Sequence, residues 1–167
     1  MENAPKTVNV VLCGIGGQGV LTAAEVCALA AMADGYHVKK SEVKGMAQRG
    51  GSVESYVRFG EKVESPLPLA GDCDALVCLH ETEHPRLQEQ LKPSGIDVTP
   101  YLEKAHKAVG EGKLFLNTYM MGVLSSFLPI SEQSWLDTLD KKFKKEQQQN
   151  RMFFLQGREE GGRHDFQ

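Results

Sequence analysis

The sequence has no paired cysteines of the kind that hold metal clusters. Its four cysteines, Cys13, Cys27, Cys73 and Cys78, form no C-x-x-C pair, and three of them stand among apolar residues, as buried free thiols usually do. Iron–sulfur clusters need groups of thiolates. We therefore predict that this chain binds no cluster by itself and has no metal site of its own.

An excess of positive charge and a long apolar run are also missing. The formal net charge of -3 argues against a nucleic-acid-binding protein, which normally has a basic face. The longest apolar stretch, residues 20–33, is interrupted by Thr22 and Glu25 and is too short to span a bilayer. Residues 1–6 contain no apolar segment, so we predict no signal peptide. These features predict a soluble, cytoplasmic protein that does not bind membranes.

The size and composition are those of one globular domain. The chain has 167 residues, of which 41% are hydrophobic and 25% charged, and one core usually holds about 100–200 residues. We predict a single domain over residues 1–157. Residues 158–167 are polar and contain glycine, which is typical of a disordered tail.

Strand and helix patterns alternate along the chain. A β-branched run at residues 8–12 ends at a glycine loop, and an alanine-rich helix over 20–33 ends at Gly35. Residues 52–59 alternate between apolar and polar, and with 63–65 they predict a small antiparallel hairpin. The alternation predicts an α/β fold with a three-layer, Rossmann-like, doubly wound and mostly parallel sheet. The other predicted strands are 36–43, 75–79 and 113–117, and the other predicted helices are 83–91, 101–109, 120–128 and a last long one that Ser131 caps.

The first glycine loop, Gly14-Ile15-Gly16-Gly17-Gln18-Gly19, fits the dinucleotide pattern G-x-G-x-x-G between a strand and a helix. Glycines permit a tight turn, and the helix N-terminus offers free amides to an anion. An acidic residue about 20 positions on should hold the ribose of a dinucleotide, but Asp34 precedes the second strand and Glu42 comes late. The loop therefore indicates contact with a phosphate, coenzyme A or a partner. Alternatively, the glycines only let the helix sit close to the strand.

A second loop follows the second strand and ends in Arg49-Gly50-Gly51. A guanidinium group there suits a carboxylate or a phosphate. The alternative is an ordinary connection between strands with exposed charge, but the loop is longer than a hairpin turn needs. We predict that this loop is functional. Its candidate binding residues are Glu42, Met46, Gln48, Arg49, Gly50 and Gly51.

The segment His80-Glu81-Thr82-Glu83-His84 matches H-E-x-x-H, a zinc protease signature. That chemistry needs both histidines one turn apart on one helix. Here His80 directly follows a predicted strand, and Pro85 places His84 in a first helical turn. We interpret the match as chance or as a local polar cluster.

Taken together, the two glycine loops resemble those of the gamma subunit or gamma domain of the 2-oxoacid:ferredoxin oxidoreductases. With Glu42 ahead of Met46-Ala47-Gln48, the sequence is most similar to the beta subunit of indolepyruvate ferredoxin oxidoreductase. The resemblance extends over nearly the whole chain. Its further matches are Ser65-Pro66, Gly71-x-x-Asp74, Asn117 with Gly122, and Asn150-x-x-x-Phe154-x-x-Gly157.

The resemblance implies a subunit that is inactive alone. Such complexes oxidatively decarboxylate a 2-oxoacid, here an indolepyruvate or aryl pyruvate, reduce ferredoxin and release the acyl group as a coenzyme A thioester. Thiamine diphosphate, Mg and [4Fe-4S] clusters are expected on a large partner subunit, with coenzyme A as co-substrate. A homodimer is also compatible with the resemblance.

For this chain the resemblance implies binding residues and no catalytic group. They would face the partner's active site or the coenzyme A phosphates. These residues are Gly14, Gly16, Gly17, Gln18, Gly19, Glu42, Met46, Gln48, Arg49, Gly50, Gly51 and Asn117.

Three alternatives stay open at this point. The first glycine loop alone would suit a stand-alone NAD(P)- or flavin-binding oxidoreductase domain. A scaffold subunit without a ligand and a zinc hydrolase are the others. The chain also departs from the family pattern, because only Ile96-Asp97-Val98 follows Gly95 where the resemblance implies another strand and a longer connection.

Overall fold

Five β-strands form one sheet in the computed structural model, which describes residues 7–44, 51–110 and 114–163. Their order across the sheet is β2-β3-β1-β4-β5. β1 pairs in parallel with β4, and β4 with β5, whereas β3 lies antiparallel between β2 and β1. The strands are β1 (Val8–Ile15), β2 (His37–Lys44), β3 (Ser52–Gly60), β4 (Cys73–Cys78) and β5 (Leu91–Asp97).

β3 lies inside the sheet rather than in a hairpin beside it. It pairs along its length with both β2 and β1, and residues 63–65 belong to no strand. The predicted hairpin is therefore wrong. The physical reason is that β1 and β2 occupy both hydrogen-bonding edges of β3. No edge of β3 is left for residues 63–65 to pair with.

Six α-helices complete the described part of the chain. α1 matches its predicted range, and Gly35 follows it with a positive φ of 91°. Ser131 caps α5 as predicted, because its Oγ accepts a hydrogen bond from the Ser134 amide at 3.2 Å. None of the helices in the described ranges is long and apolar enough to cross a membrane. The helices are α1 (Val20–Ala33), α2 (His84–Leu87), α3 (Leu102–Val109), α4 (Leu116–Ser125), α5 (Glu132–Lys142) and α6 (Gln147–Gly162).

The larger core lies on one face of the sheet. It joins α1 and the helices from α3 onward to the inward residues of the strands. The opposite face has a smaller cluster in which Val11, Cys13, Tyr56 and Leu76 pack with Leu87 of α2. The fold is thus mixed α/β, as predicted, but the doubly wound arrangement is not confirmed, because α2 is the helix that adds to the second face within the described residues.

The segment predicted as a helix over 83–91 is broken into short pieces. α2 has four residues between the 3-10 turns Glu81–Glu83 and Gln88–Gln90, and β5 begins at Leu91. β5 pairs with β4 through an irregular register, which jumps from Cys73↔Leu91 to Ala75↔Ile96.

Two predictions near the C-terminus are wrong. Residues 114–117, which are the described part of the predicted strand 113–117, form no strand, and α4 begins at Leu116. Residues 158–162, predicted as part of a disordered tail, belong to α6. Glycines there serve close packing, because a Cβ on Gly161 would lie 2.7 Å from the Val123 carbonyl oxygen. Residues 164–167 lie outside the described residues.

Candidate functional site

The first glycine loop lies at the carboxyl end of β1, between this strand and α1. Gly17 and Gly19 have positive φ angles of 91° and 82°, which favour glycine. Gly14 lies in the strand itself, and a Cβ there would come within 2.7 Å of the Gln18 Oε1 atom and 2.9 Å of the Val20 side chain. The glycines therefore serve both the turn and close helix–strand packing.

Gln18 uses both ends of its side-chain amide inside the protein. Oε1 accepts a hydrogen bond from the Ile15 amide at 2.9 Å, and Nε2 donates one to the Leu79 carbonyl oxygen at 2.8 Å. The side chain thus ties the loop to the end of β4. This arrangement makes Gln18 a residue that shapes the loop, a role that its sequence position alone does not indicate.

The end of the second glycine loop lies against the first. The Gly16 amide donates a hydrogen bond to the Gly51 carbonyl oxygen at 3.0 Å, just before β3 begins at Ser52. The two sequence motifs therefore meet at the same edge of the sheet. Met46, Gln48, Arg49 and Gly50 lie outside the described residues.

Asn117 reaches the first glycine loop from the other side of α1. Its Nδ2 atom donates a hydrogen bond to the Gly19 carbonyl oxygen at 3.3 Å. Its Oδ1 atom accepts one from the Thr118 amide at 2.9 Å. A Cβ on Gly19 would lie 2.4 Å from Nδ2. Although Asn117 lies in the first turn of a helix rather than in the predicted strand, it belongs to the same site.

Glu42 stands apart from this site. Its carboxylate is 3.1 Å from the Lys40 ammonium group on the same strand. β3 separates its strand from β1, with Glu42 opposite Ser55. The structure thus brings together Gly14, Gly16, Gly17, Gln18, Gly19, Gly51 and Asn117 and leaves Glu42 on the edge strand.

A cleft of about 370 Å³ opens over the first glycine loop. Val53 of β3 forms one wall, and the first turn of α1 with Thr22 forms another. The N-cap residue of α1 is Gly19, which has no side chain that could cap the helix with a hydrogen bond. Free amides at a helix N-terminus attract anions, so the cleft can receive a phosphate or a carboxylate.

A charged network beneath the site was not predicted from the sequence. The Ser52 hydroxyl donates to Glu83, whose other oxygen lies 3.1 Å from Nε of Arg86. Nη1 of Arg86 lies 3.2 Å from Glu54. Partial burial disfavours the charge of Arg86, but the two carboxylates outweigh this effect and raise its pKa. Glu83 is 6% exposed. The spacing of three residues between Glu83 and Arg86 is the sequence signal that could have indicated this pair.

Cys13 and Cys78 lie opposite each other on β1 and β4 and are fully buried. A hydrogen bond between the two side chains, together with burial, raises the pKa of Cys13 far above its usual range. Burial raises the pKa of Cys27 and of Cys73 to about 12. Buried thiols that are not gathered into a group of three or four do not fit an iron–sulfur cluster, which needs grouped thiolates.

The two histidines of the H-E-x-x-H match have different partners. His80 is extended and its Nδ1 lies 2.7 Å from the Thr82 hydroxyl. His84 begins α2, and its Nε2 lies 2.6 Å from Oδ2 of Asp97. As predicted, they do not share a helix face. Within the described ranges, no three or more His, Cys, Asp or Glu side chains form a group that could hold a metal ion.

The sequence matches the family model described as "Pyruvate ferredoxin/flavodoxin oxidoreductase" over residues 9–100. The indolepyruvate oxidoreductase subunit IorB of Thermococcus kodakarensis is 44% identical over 94 residues, which cover 56% of this chain and 46% of that protein. The subunit of the same name from Pyrococcus horikoshii is 43% identical over 94 residues, with the same coverage of both proteins. The chain therefore spans about half the length of the curated relatives it matches.

Solved structures share the fold. The gamma subunit of a keto/oxoacid ferredoxin oxidoreductase from Geobacter sulfurreducens has a TM-score of 0.70 at 22% identity, covering 92% of this chain and 98% of that chain. A 2-oxoglutarate:ferredoxin oxidoreductase from Magnetococcus marinus, with 2-oxoglutarate, coenzyme A and succinyl-CoA bound, has a TM-score of 0.75 at 18% identity. The match covers 93% of this chain and 30% of that chain. At these identities the likeness concerns the fold alone.

Proposed function

The chain belongs to the pyruvate ferredoxin/flavodoxin oxidoreductase family, and from this we propose that it is the small subunit of an indolepyruvate-type 2-oxoacid:ferredoxin oxidoreductase. The observation that carries the proposal is the hydrogen bond from Gly16 to Gly51, which joins the first glycine loop, beside its cleft, to the last residue of the second motif. The relatives named indolepyruvate oxidoreductase subunit IorB support the indolepyruvate or aryl pyruvate substrate.

The reaction of the complex converts a 2-oxoacid, coenzyme A and two oxidised ferredoxins to an acyl-CoA, CO₂, a proton and two reduced ferredoxins. Thiamine diphosphate with Mg and the [4Fe-4S] clusters would supply decarboxylation and electron transfer from a large partner subunit. The thiols of this chain do not fit a cluster, since all four cysteines are buried and burial raises the pKa of Cys27 and Cys73 to about 12. We assign no catalytic group to this chain.

The role of this chain in the proposed reaction is to hold the phosphates of coenzyme A at the mouth of the partner's active site. Gly17 and Gly19 line the cleft without a side chain that would cover the N-terminus of α1, and Gln18 and Asn117 hold the loop through hydrogen bonds. The Magnetococcus marinus enzyme has coenzyme A bound, which supports a ligand of this class. We include Gly14 and Gly51 in the proposed site, with Met46, Gln48, Arg49 and Gly50 as sequence-based candidates, and we leave out Glu42, which lies on the edge strand.

We further propose that residues 1–157 form one gamma-type domain, to which the helical residues 158–162 belong as well. The expected partners are the large subunit and, through the complex, ferredoxin. The proposed reaction would take place in the cytoplasm, and a second copy of the chain would assemble through the complex.

The test is an indolepyruvate- and coenzyme A-dependent viologen reduction assay with the chain alone and with its large partner subunit. Activity only in the mixture would support the proposal. The other outcome is that the mixture is inactive with several 2-oxoacids and that the chain alone binds NAD(P)H or flavin. This outcome would favour the stand-alone oxidoreductase domain.

Arg49→Ala tests the second loop within the active mixture. We expect at least a tenfold rise in the KM for coenzyme A, because a charge-assisted contact with phosphate contributes about 1.5–3 kcal/mol. Arg163→Ala, at the exposed end of α6, is the matched control and should leave KM unchanged. Equal kinetics of Arg49→Ala and the unmodified complex would remove Arg49 from the site.

A further inference from the structure

A second cavity, of about 400 Å³, lies beside the glycine loop. Its walls include Thr22 of α1, Asn117 and Thr118 of α4, and the connection between α5 and α6. Lys144 and Lys145 of this connection stand at the cavity and are exposed. We call these two residues the lysine rim.

The lysine rim carries positive charge that no ion pair within the described ranges neutralises. Neighbouring Lys142 is paired with Glu25 at 2.6 Å, but neither Lys144 nor Lys145 has an ion-pair partner within the described ranges. Glu146 also lines the cavity, so its carboxylate offsets part of the charge. One net positive charge remains on the rim, which suits a phosphate group.

The cavity lies next to the cleft over the glycine loop. Thr22 lines both of them, and Asn117 lines the cavity while its amide binds the Gly19 carbonyl oxygen at 3.3 Å. A ligand longer than either space could therefore place one anionic group at the helix N-terminus and another at the lysine rim. Phe115 and Phe143 add apolar surface to the cavity.

We propose that the lysine rim binds the terminal phosphate monoester of an extended, nucleotide-type thiol carrier whose diphosphate lies at the glycine loop. The proposal rests on the proposed function, since coenzyme A is a carrier of this kind, with a 3′-phosphate on its ribose. The lysine rim would then determine the preference of the complex for a carrier with this phosphate.

Dephospho-coenzyme A tests the proposal, because it lacks only the 3′-phosphate. In the complex with the large partner subunit, the KM values for coenzyme A and dephospho-coenzyme A are compared for the unmodified chain and for Lys144→Ala/Lys145→Ala. We expect the double variant to raise the KM for coenzyme A about tenfold or more. Its KM for dephospho-coenzyme A should stay unchanged, so that the variant no longer distinguishes the two carriers.

Lys141→Ala is the matched control, because Lys141 is exposed on α5 and does not line the cavity. Unchanged KM values for both carriers in the double variant would overturn the lysine rim as a phosphate site while leaving the proposed function intact. An equal rise in the KM for both carriers would also overturn the phosphate site, since the lysines would then contact an acidic protein surface. A complex that turns over neither carrier would overturn the proposed function together with the phosphate site.

Discussion

Gln18 and Leu79 are joined by a hydrogen bond of 2.8 Å from the side-chain Nε2 to the backbone carbonyl oxygen. This bond connects the first glycine loop to the residue that follows β4. The same side chain accepts a hydrogen bond from the Ile15 amide at 2.9 Å. One side chain therefore closes the loop on itself and attaches it to the residue after β4.

Gln18→Ala should lower the free energy of unfolding by about 1–3 kcal/mol, because it leaves a partly buried amide and a carbonyl without partners. Urea unfolding followed by circular dichroism measures the change. Gln149→Ala, on an exposed position of α6, is the control and should stay within about 0.5 kcal/mol. Equal stabilities of the two variants would mean that the loop keeps its shape without the Gln18 side chain.

The packing of α4 on α6 depends on glycine. A Cβ on Gly157 would lie 2.1 Å from the Tyr119 carbonyl oxygen, and one on Gly122 would lie 2.0 Å from that of Phe154. These atoms belong to the backbone and cannot rotate away. The two helices would have to separate to admit a methyl group at either position.

Gly157→Ala should therefore lower the free energy of unfolding by about 2 kcal/mol or more through overpacking. Gly162→Ala is a matched control on the same helix, because no atom of the described residues, apart from its own helix and chain neighbours, lies within 4 Å of its Cβ position. It should leave stability unchanged or raise it by up to about 1 kcal/mol, since alanine favours helix more than glycine does. Thermal and urea unfolding of both variants measure the difference. Similar values for the two would contradict the close approach of the helices.

Local patterns predicted the glycine-loop region well. The strand before the loop and the helix Val20–Ala33 follow from periodicity and from the glycines at both ends. The wrong predictions come from residues whose state depends on distant partners. Residues 157–162 are rich in glycine and polar groups, and they are helical because Gly157 and Gly161 pack on α4. No local sequence pattern in residues 157–162 indicates this contact with α4.

The candidate site was predictable to a similar degree. Gly16 and Gly51 were assigned to one site from their motifs, and the hydrogen bond between them agrees with this. The role of Gln18 and the pairing of Glu83 with Ser52 were not predicted. Both depend on which strands are neighbours, and the order β2-β3-β1-β4-β5 cannot be obtained from the periodicity of single elements.

The four thiols should resist alkylation in the folded protein. All are buried, and burial raises the pKa of Cys27 and Cys73 to about 12. At pH 8 a thiol with such a pKa is about a thousandfold less ionised than a free cysteine. Mass spectrometry after iodoacetamide treatment should find no label on the native protein and four labels in urea. A label on the native protein within minutes would contradict the burial of the labelled cysteine.

Asp34 connects the end of α1 to the start of α5. Its Oδ2 atom accepts a hydrogen bond from the Ser131 amide at 2.6 Å, and its Oδ1 atom accepts one each from the Ser131 and Ser134 hydroxyls at 2.7 and 2.6 Å. Partial desolvation disfavours the carboxylate, but the hydrogen bonds from Ser134 and Ser131 outweigh it and lower the pKa of Asp34 below its usual 3.8. The ionised form is therefore the one that stabilises this junction.

Because folding lowers the pKa of Asp34, its contribution is fully present above the ordinary aspartate pKa and is lost as pH falls through the lowered value. At pH 7, Asp34→Asn should cost about 1 kcal/mol, since solvent exposure limits the effect. Urea unfolding should show that the difference in free energy of unfolding between Asp34→Asn and the unmodified protein becomes smaller at pH 3 and below. Asp137→Asn, on the exposed face of α5, should show little change at either pH. If the loss of stability in Asp34→Asn is equally large at both pH values, the carboxylate charge does not contribute. The geometry of the three hydrogen bonds alone would then hold α1 to α5.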